Sequence, residues 1–187
     1  GVPVDLPPLA QDHLARFVRA HAATFSDRPA FSVCLPGGQG GTSTYAKIDA
    51  LSDDFAAYLR EGLGLQAGDR VAVQLPNCLA YPVVAFGVFK AGCVLVNVNP
   101  LYTPTEVSHQ LTDSAAKVLV VVDLFAGQLD QSLAPTQVKH VLTASLTIGF
   151  PALQGALVRF VLRFVKRQVP HCPVPHTALR EALHQGN

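Results

Sequence analysis

The 187-residue sequence contains no methionine, not even at its first position. Either an initiator has been removed or the sequence is an excerpt of a longer one. The ending, His184-Gln-Gly-Asn187, reads as a loop with no visible finish to the fold, which also fits a fragment. Charge is scarce: 14% of residues are charged against 49% hydrophobic, and the mean hydropathy is +0.30. That balance excludes a disordered chain, and a chain of this length can bury a core. It also leaves apolar surface for a partner domain or a membrane to cover. The net charge of +1 supplies no global field for nucleic acid or an acidic partner, so nucleic acid is not expected.

Metal and disulfide patterns are lacking too. The four cysteines, Cys34, Cys78, Cys93 and Cys172, form no Cys-x-x-Cys pair, and no histidine cluster completes a ligand set. They read as reduced thiols in a cytosolic protein. The opening Gly-Val-Pro-Val-Asp-Leu-Pro-Pro has neither the basic nor the apolar region of a signal peptide. No run of about 18 apolar residues is free of charge, so no membrane-spanning helix is expected.

What is present is a regular alternation of elements. Leu14, Phe17, Val18, His21 and Phe25 recur at helical spacing, predicting an amphipathic helix over 11–26 with His21 as a core or boundary histidine. Ala30–Leu35, the turn Gly37-Gly-Gln-Gly-Gly41 and Thr42–Tyr45 read as a β-hairpin. A second helix over 46–62 carries Ile48, Leu51, Phe55 and Leu59 and ends at Gly62 and Gly64. Strands then follow at 71–75, 93–98, 117–122 and 138–143, with helices at 79–91, 103–114 and 124–132 between them. Thr103-Pro104-Thr105-Glu106 has the make-up of a helix N-cap, first-turn proline and capping box. The strands are continuous Val/Leu/Ala runs, as burial on both faces requires. The expected fold is therefore α/β, a mostly parallel sheet with flanking helices, preceded by a helix and a β-hairpin. Residues 1–10 read as a lead-in, 11–150 as the α/β unit, and 151–187 as a basic amphipathic helix followed by a connecting segment.

Three tempting sites resolve to ordinary structure. The glycine run 37–41 joins strand to strand and no lysine follows it, so it is a turn and not a phosphate loop. Asp53 and Asp54 are neighbours on a helix and do not share a face, so they are surface carboxylates and not an acid–base pair. Serine, histidine and aspartate occur without a nucleophile elbow or triad spacing. No catalytic, cofactor-binding or metal-binding residue is assigned.

The segment Leu157–Val169 carries more information. On a helical wheel Arg159, Arg163, Lys166 and Arg167 fall within one arc of roughly 100°. Phe160, Phe164 and a series of aliphatics fill most of the remainder. Four cations beside such a face suit a helix lying in a membrane interface, with Arg and Lys at the lipid phosphates. The other reading is a helix packed on the core with its basic stripe facing water or a partner domain. The membrane-surface candidates are Arg159, Phe160, Arg163, Phe164, Lys166 and Arg167.

One stretch resembles a known family. It runs Leu75-Pro-Asn-Cys-Leu-Ala-Tyr-Pro-Val-Val-Ala-Phe-Gly-Val-Phe-Lys-Ala-Gly92, then Val94-Leu-Val-Asn-Val-Asn-Pro-Leu-Tyr-Thr-Pro-Thr-Glu106 and His109-Gln-Leu-Thr-Asp-Ser114. With Asp27-Arg-Pro-Ala-Phe31, Phe55-Ala-Ala-Tyr-Leu59 and Leu63-Gly-Leu-Gln-Ala-Gly-Asp-Arg-Val-Ala72, it is similar to the N-terminal region of bacterial long-chain acyl-CoA synthetases of the adenylate-forming superfamily. The likeness covers about residues 12–187. Thr105 departs from it, standing where these proteins usually carry a basic residue.

The resemblance implies a ligase in which a long-chain fatty acid, ATP with Mg²⁺, and coenzyme A give acyl-CoA, AMP and pyrophosphate through an acyl-adenylate. It places the phosphate loop, adenine and ribose motifs and catalytic lysine beyond Asn187, so this chain is expected to be inactive and to bind no cofactor. It also implies a cytoplasmic protein associated with the inner face of the cell membrane through an anionic surface, with a homodimer left open. The alternatives are another adenylate-forming ligase (medium-chain, aryl or acyl-AMP) and a non-catalytic membrane-docking or interaction module.

Overall fold

Val118–Val122 (β5) is five consecutive fully buried aliphatic residues, and its side chains explain the architecture. Successive residues of a strand point to opposite faces. Val118, Val120 and Val122 enter one apolar cluster, while Leu119 and Val121 enter another. The sheet therefore needs helices on both sides. The computed structural model describes residues 13–187; the lead-in 1–10 and the first two residues expected of the opening helix lie outside the described residues.

The described chain begins with α1 (Leu14–Thr24), the hairpin β1 (Pro29–Cys34) and β2 (Gly40–Thr44), and α2 (Tyr45–Ala57), which ends in a π turn, Tyr58–Gly62. It continues with β3 (Arg70–Gln74), α3 (Ala80–Lys90), β4 (Val94–Asn97) and α4 (Pro104–Ser114). After β5 come a 3-10 turn (Asp123–Gln128), α5 (Leu129–Leu133), β6 (His140–Ala144) and α6 (Ala152–Phe160). A second π turn (Val161–Val165), β7 (Thr177–Ala178) and α7 (Leu179–Gln185) complete it.

All five strands of the main sheet run parallel, in the order β4-β3-β5-β6-β7. From β3 the chain steps to one side to make β4, then crosses back over β3 to make β5. Right-handed crossovers in opposite directions place their helices on opposite faces. Accordingly Val83, Val84 and Val88 of α3 join the first cluster with Phe55 and Leu59, and Val107 and Leu111 of α4 join the second. The capping box at Thr103 forms as its sequence requires: Thr103 Oγ1 accepts from Glu106 N, and Thr103 N donates to Glu106 Oε2 at 2.8 Å.

Several expectations need correction. The stretch from His184 is not all loop: α7 includes His184 and Gln185 and buries Leu179, Ala182 and Leu183 against the first cluster, leaving Gly186 and Asn187 outside it. Its short apolar run follows Pro173 and Pro175, which masked the helical periodicity in the sequence. Residues 124–132 do not make one helix: Asp123–Gln128 is 3-10 and only Leu129–Leu133 is α-helical. Nor does the basic helix continue to Val169. The π turn interrupts it at Val161, and Arg167 has φ +50°, outside right-handed helix geometry.

Candidate functional site at the carboxyl edge of the sheet

In an open parallel sheet, ligands bind outside the carboxyl ends of the strands, where consecutive connections leave in opposite directions. Here that point lies between β3 and β5. A crevice of about 440 Å³ occupies it, bordered by Gln74 at the end of β3, Tyr102 after β4, and Leu124, Phe125 and Gln128 after β5. Gln74 is buried, and its amide donates to the Asn99 carbonyl at 3.4 Å, tying the end of β3 to the loop that precedes α4. Among the described residues the crevice lining offers amides, a serine hydroxyl, one phenol and apolar surface, with no carboxylate, imidazole, lysine or arginine. It can hold a ligand and orient it, but it carries no group suited to proton transfer near neutral pH.

A second cavity, about 530 Å³, lies alongside at the carboxyl ends of β5 and β6. Asp123, the residue that closes the apolar strand β5, shares it with Arg159, Arg163 and Arg180. Burial pushes the Asp123 carboxyl above its usual range, against the opposing pull of the Leu124 N–H and the two nearby arginines, Arg163 and Arg159. Arg159 donates to Thr147 Oγ1 at 3.3 Å.

The six membrane-surface candidates thus separate into groups. Arg159 and Arg163 line this cavity. Lys166 and Arg167 are exposed beyond the π turn and do not line it. Phe160 and Phe164 pack against each other with centroids 5.2 Å apart and are 55% and 62% exposed. Leu153, Leu157 and Val165 are exposed as well, and α6 buries only Gly155. Val158, Val161, Leu162 and Val169 of the same segment are half-buried, so one side of it packs on the rest of the chain and the other is left exposed. Sequence reasoning missed Asp123, His176 and Arg180 at this cavity. A carboxylate immediately after an all-aliphatic strand was the available signal for Asp123.

The remaining sequence candidates have structural partners. His21 stacks on Phe17, with its Nδ1 2.8 Å from the Phe17 carbonyl. Asp53 pairs with Arg19 and Lys90, and Lys90 also reaches Asp49 at 2.6 Å, so these charges tie α1, α2 and α3 together. Gly37–Gly41 falls in the hairpin connection and the start of β2. Burial raises the thiol pKa of Cys78 and Cys93, which leaves both as poor nucleophiles. Among the described residues no group of three or more His, Cys, Asp or Glu could hold a metal ion. No described helix is long and apolar enough to cross a membrane.

A parallel sheet wound in this order, with an open crevice at its switch point, is a doubly wound α/β architecture. One family profile, AMP-binding enzyme, matches residues 18–171, and the chain belongs to that family. Its relatives include the long-chain-fatty-acid–CoA ligases of Escherichia coli O157:H7, 41% identical, and Yersinia pestis, 42% identical, each matched over 99% of this chain. The chain spans 32% of the length of either. Among solved structures, a long-chain-fatty-acid–CoA ligase from Archaeoglobus fulgidus superimposes with a TM-score of 0.68 at 20% identity, over 92% of this chain and 30% of that one. A benzoate CoA ligase from Burkholderia xenovorans gives 0.61 at 24% identity, over 69% and 25%. These two establish a shared fold.

Proposed function

We propose that this chain is the opening α/β part of an ATP-dependent long-chain fatty acid–CoA ligase and has no ligase activity by itself. The observation that carries the reading is identity of about 41% along 99% of the chain to ligases of that name. The whole protein would convert a long-chain fatty acid, ATP and coenzyme A, with Mg²⁺, to acyl-CoA, AMP and pyrophosphate. The unit 11–150 would be scaffold for that reaction, its switch-point crevice offering binding surface to a substrate held mainly by other parts of the protein. A ligase for aryl or medium-chain acids is the rival reading, since the fold is shared with a benzoate enzyme. The test is acyl-CoA formation by the whole protein with palmitate and with benzoate. Turnover of benzoate and not palmitate would overturn the assignment.

The segment 151–187 has a further proposed role, docking at an anionic lipid surface on the cytoplasmic side. Its support is the exposed face of Leu153, Leu157, Phe160, Phe164 and Val165, bordered by the exposed cations Arg163, Lys166 and Arg167. Each Phe transferred from water is worth about 1.5–3 kcal/mol. Phe160→Ser with Phe164→Ser should therefore lower flotation with phosphatidylglycerol vesicles by about tenfold or more. Replacing Arg159, Arg163, Lys166 and Arg167 by Gln should abolish its salt sensitivity. Unchanged flotation in both variants would refute the docking role.

A further inference from the structure

We infer that the cavity at the carboxyl ends of β5 and β6 is a binding site for a phosphoryl group, separate from the switch-point crevice. Neither the ligase reading nor the lipid-docking reading is needed for it. Arg159 and Arg163 come from α6 and the π turn after it, and Arg180 comes from α7. Three arginines from two separate segments of the chain line one space of about 530 Å³. Asp123 is the one carboxylate in its lining, which leaves a surplus of two positive charges.

The surplus is not used within the chain. None of the ion pairs among the described residues involves these three arginines. Arg159 makes its one side-chain hydrogen bond to Thr147 Oγ1. Asp123 lies within electrostatic range of Arg163 and Arg159 but pairs with neither at contact distance. His171 and His176 also line the cavity, and His176 Nδ1 sits 2.9 Å from the Val174 carbonyl oxygen.

The chemistry selects the ligand class. Guanidinium groups present planar pairs of N–H donors matched to phosphate oxygens. A phosphate monoester carries close to two negative charges at neutral pH, because its second pKa is near 6. That charge offsets the surplus, whereas a single carboxylate would leave a guanidinium uncompensated. The phosphoryl group could belong to a lipid headgroup, given Phe160 and Phe164 on the same segment, or to a soluble phosphate ester.

The test compares two double variants with the same loss of charge. R163Q/R180Q removes two cations from the cavity, and K166Q/R167Q removes two from the neighbouring surface outside it. Inorganic phosphate is titrated calorimetrically into the protein and both variants, after matching thermal unfolding shows each is folded. Expected is phosphate binding weakened at least about tenfold in R163Q/R180Q and changed by less than about twofold in K166Q/R167Q. Equal weakening in the two, or no phosphate binding by the unaltered protein, overturns the site. Vesicles of phosphatidylcholine with phosphatidic acid then separate the sources. If phosphate competes with them and R163Q/R180Q fails to bind them, the ligand is a headgroup. If vesicle binding survives in R163Q/R180Q while phosphate binding is lost, it is a soluble ester. A protein that binds phosphate but no vesicle keeps the site and loses only the lipid-docking reading.

Discussion

Lys117 Nζ stands 2.7 Å from Asp69 Oδ1, joining the residue before β5 to the residue before β3. Gln66 N donates to the other carboxylate oxygen at 2.9 Å. With the Lys117 bond first and the Gln66 bond second, these hold the Asp69 pKa below its usual range. A depressed folded-state pKa stabilises the fold above the unfolded value, near pH 4, and the contribution is lost as pH falls through the folded value. Asp69→Asn should cost about 1–3 kcal/mol at neutral pH. Urea unfolding across the acid range should show the gap to the unaltered protein narrowing below about pH 4. A gap that stays constant would mean the charge on Asp69 contributes nothing.

Ala115 terminates α4 in the left-handed region, at φ +49° and ψ +43°. An alanine there carries a steric cost that glycine avoids. The conformation is held from outside the helix: Arg70 donates from Nε to the Ser114 carbonyl and from Nη2 to the Ala115 carbonyl, both at 3.0 Å. Ala115→Gly should therefore stabilise the protein by about 0.5–1 kcal/mol, read as a higher thermal midpoint. Arg70→Lys should destabilise it, because an ammonium cannot span both carbonyls.

Gly87 lets α2 and α3 approach closely. A Cβ at this position would lie 2.7 Å from Phe55 Cδ1 and 3.0 Å from the Ser52 carbonyl oxygen. Phe55 is fully buried and has little room to yield. Gly87→Ala should cost about 1–3 kcal/mol through overpacking, outweighing its better helix propensity. Chemical denaturation measures the loss, and a gain in stability would show that the helices can separate there without penalty.

Local chemistry made much of the fold legible. The Thr103 cap, the hairpin around Gly37–Gly41 and the aliphatic run Val118–Val122 each specify a structure through nearby residues. Sheet order was not legible, because it depends on which edge each crossover reaches. Hence the pairing of β3 with β5 and the switch-point crevice appear only in three dimensions. The basic segment shows the same limit. Helical periodicity placed Arg159, Arg163, Lys166 and Arg167 on one arc, but a wheel assumes uninterrupted helix. The π turn at Val161–Val165 ends that regularity, and the placing of Arg163 and Arg180 along one cavity depends on where α7 returns to the sheet.

Pyrophosphate exchange into ATP is the most direct measurement of the central claim, that these residues are the scaffold of a fatty-acid-activating ligase and do not hold its chemistry. The account predicts exchange that depends on a long-chain fatty acid in the whole protein and none above background with residues 1–187 alone. Exchange by the 187-residue chain, or a whole protein that supports none with any fatty acid, would contradict it.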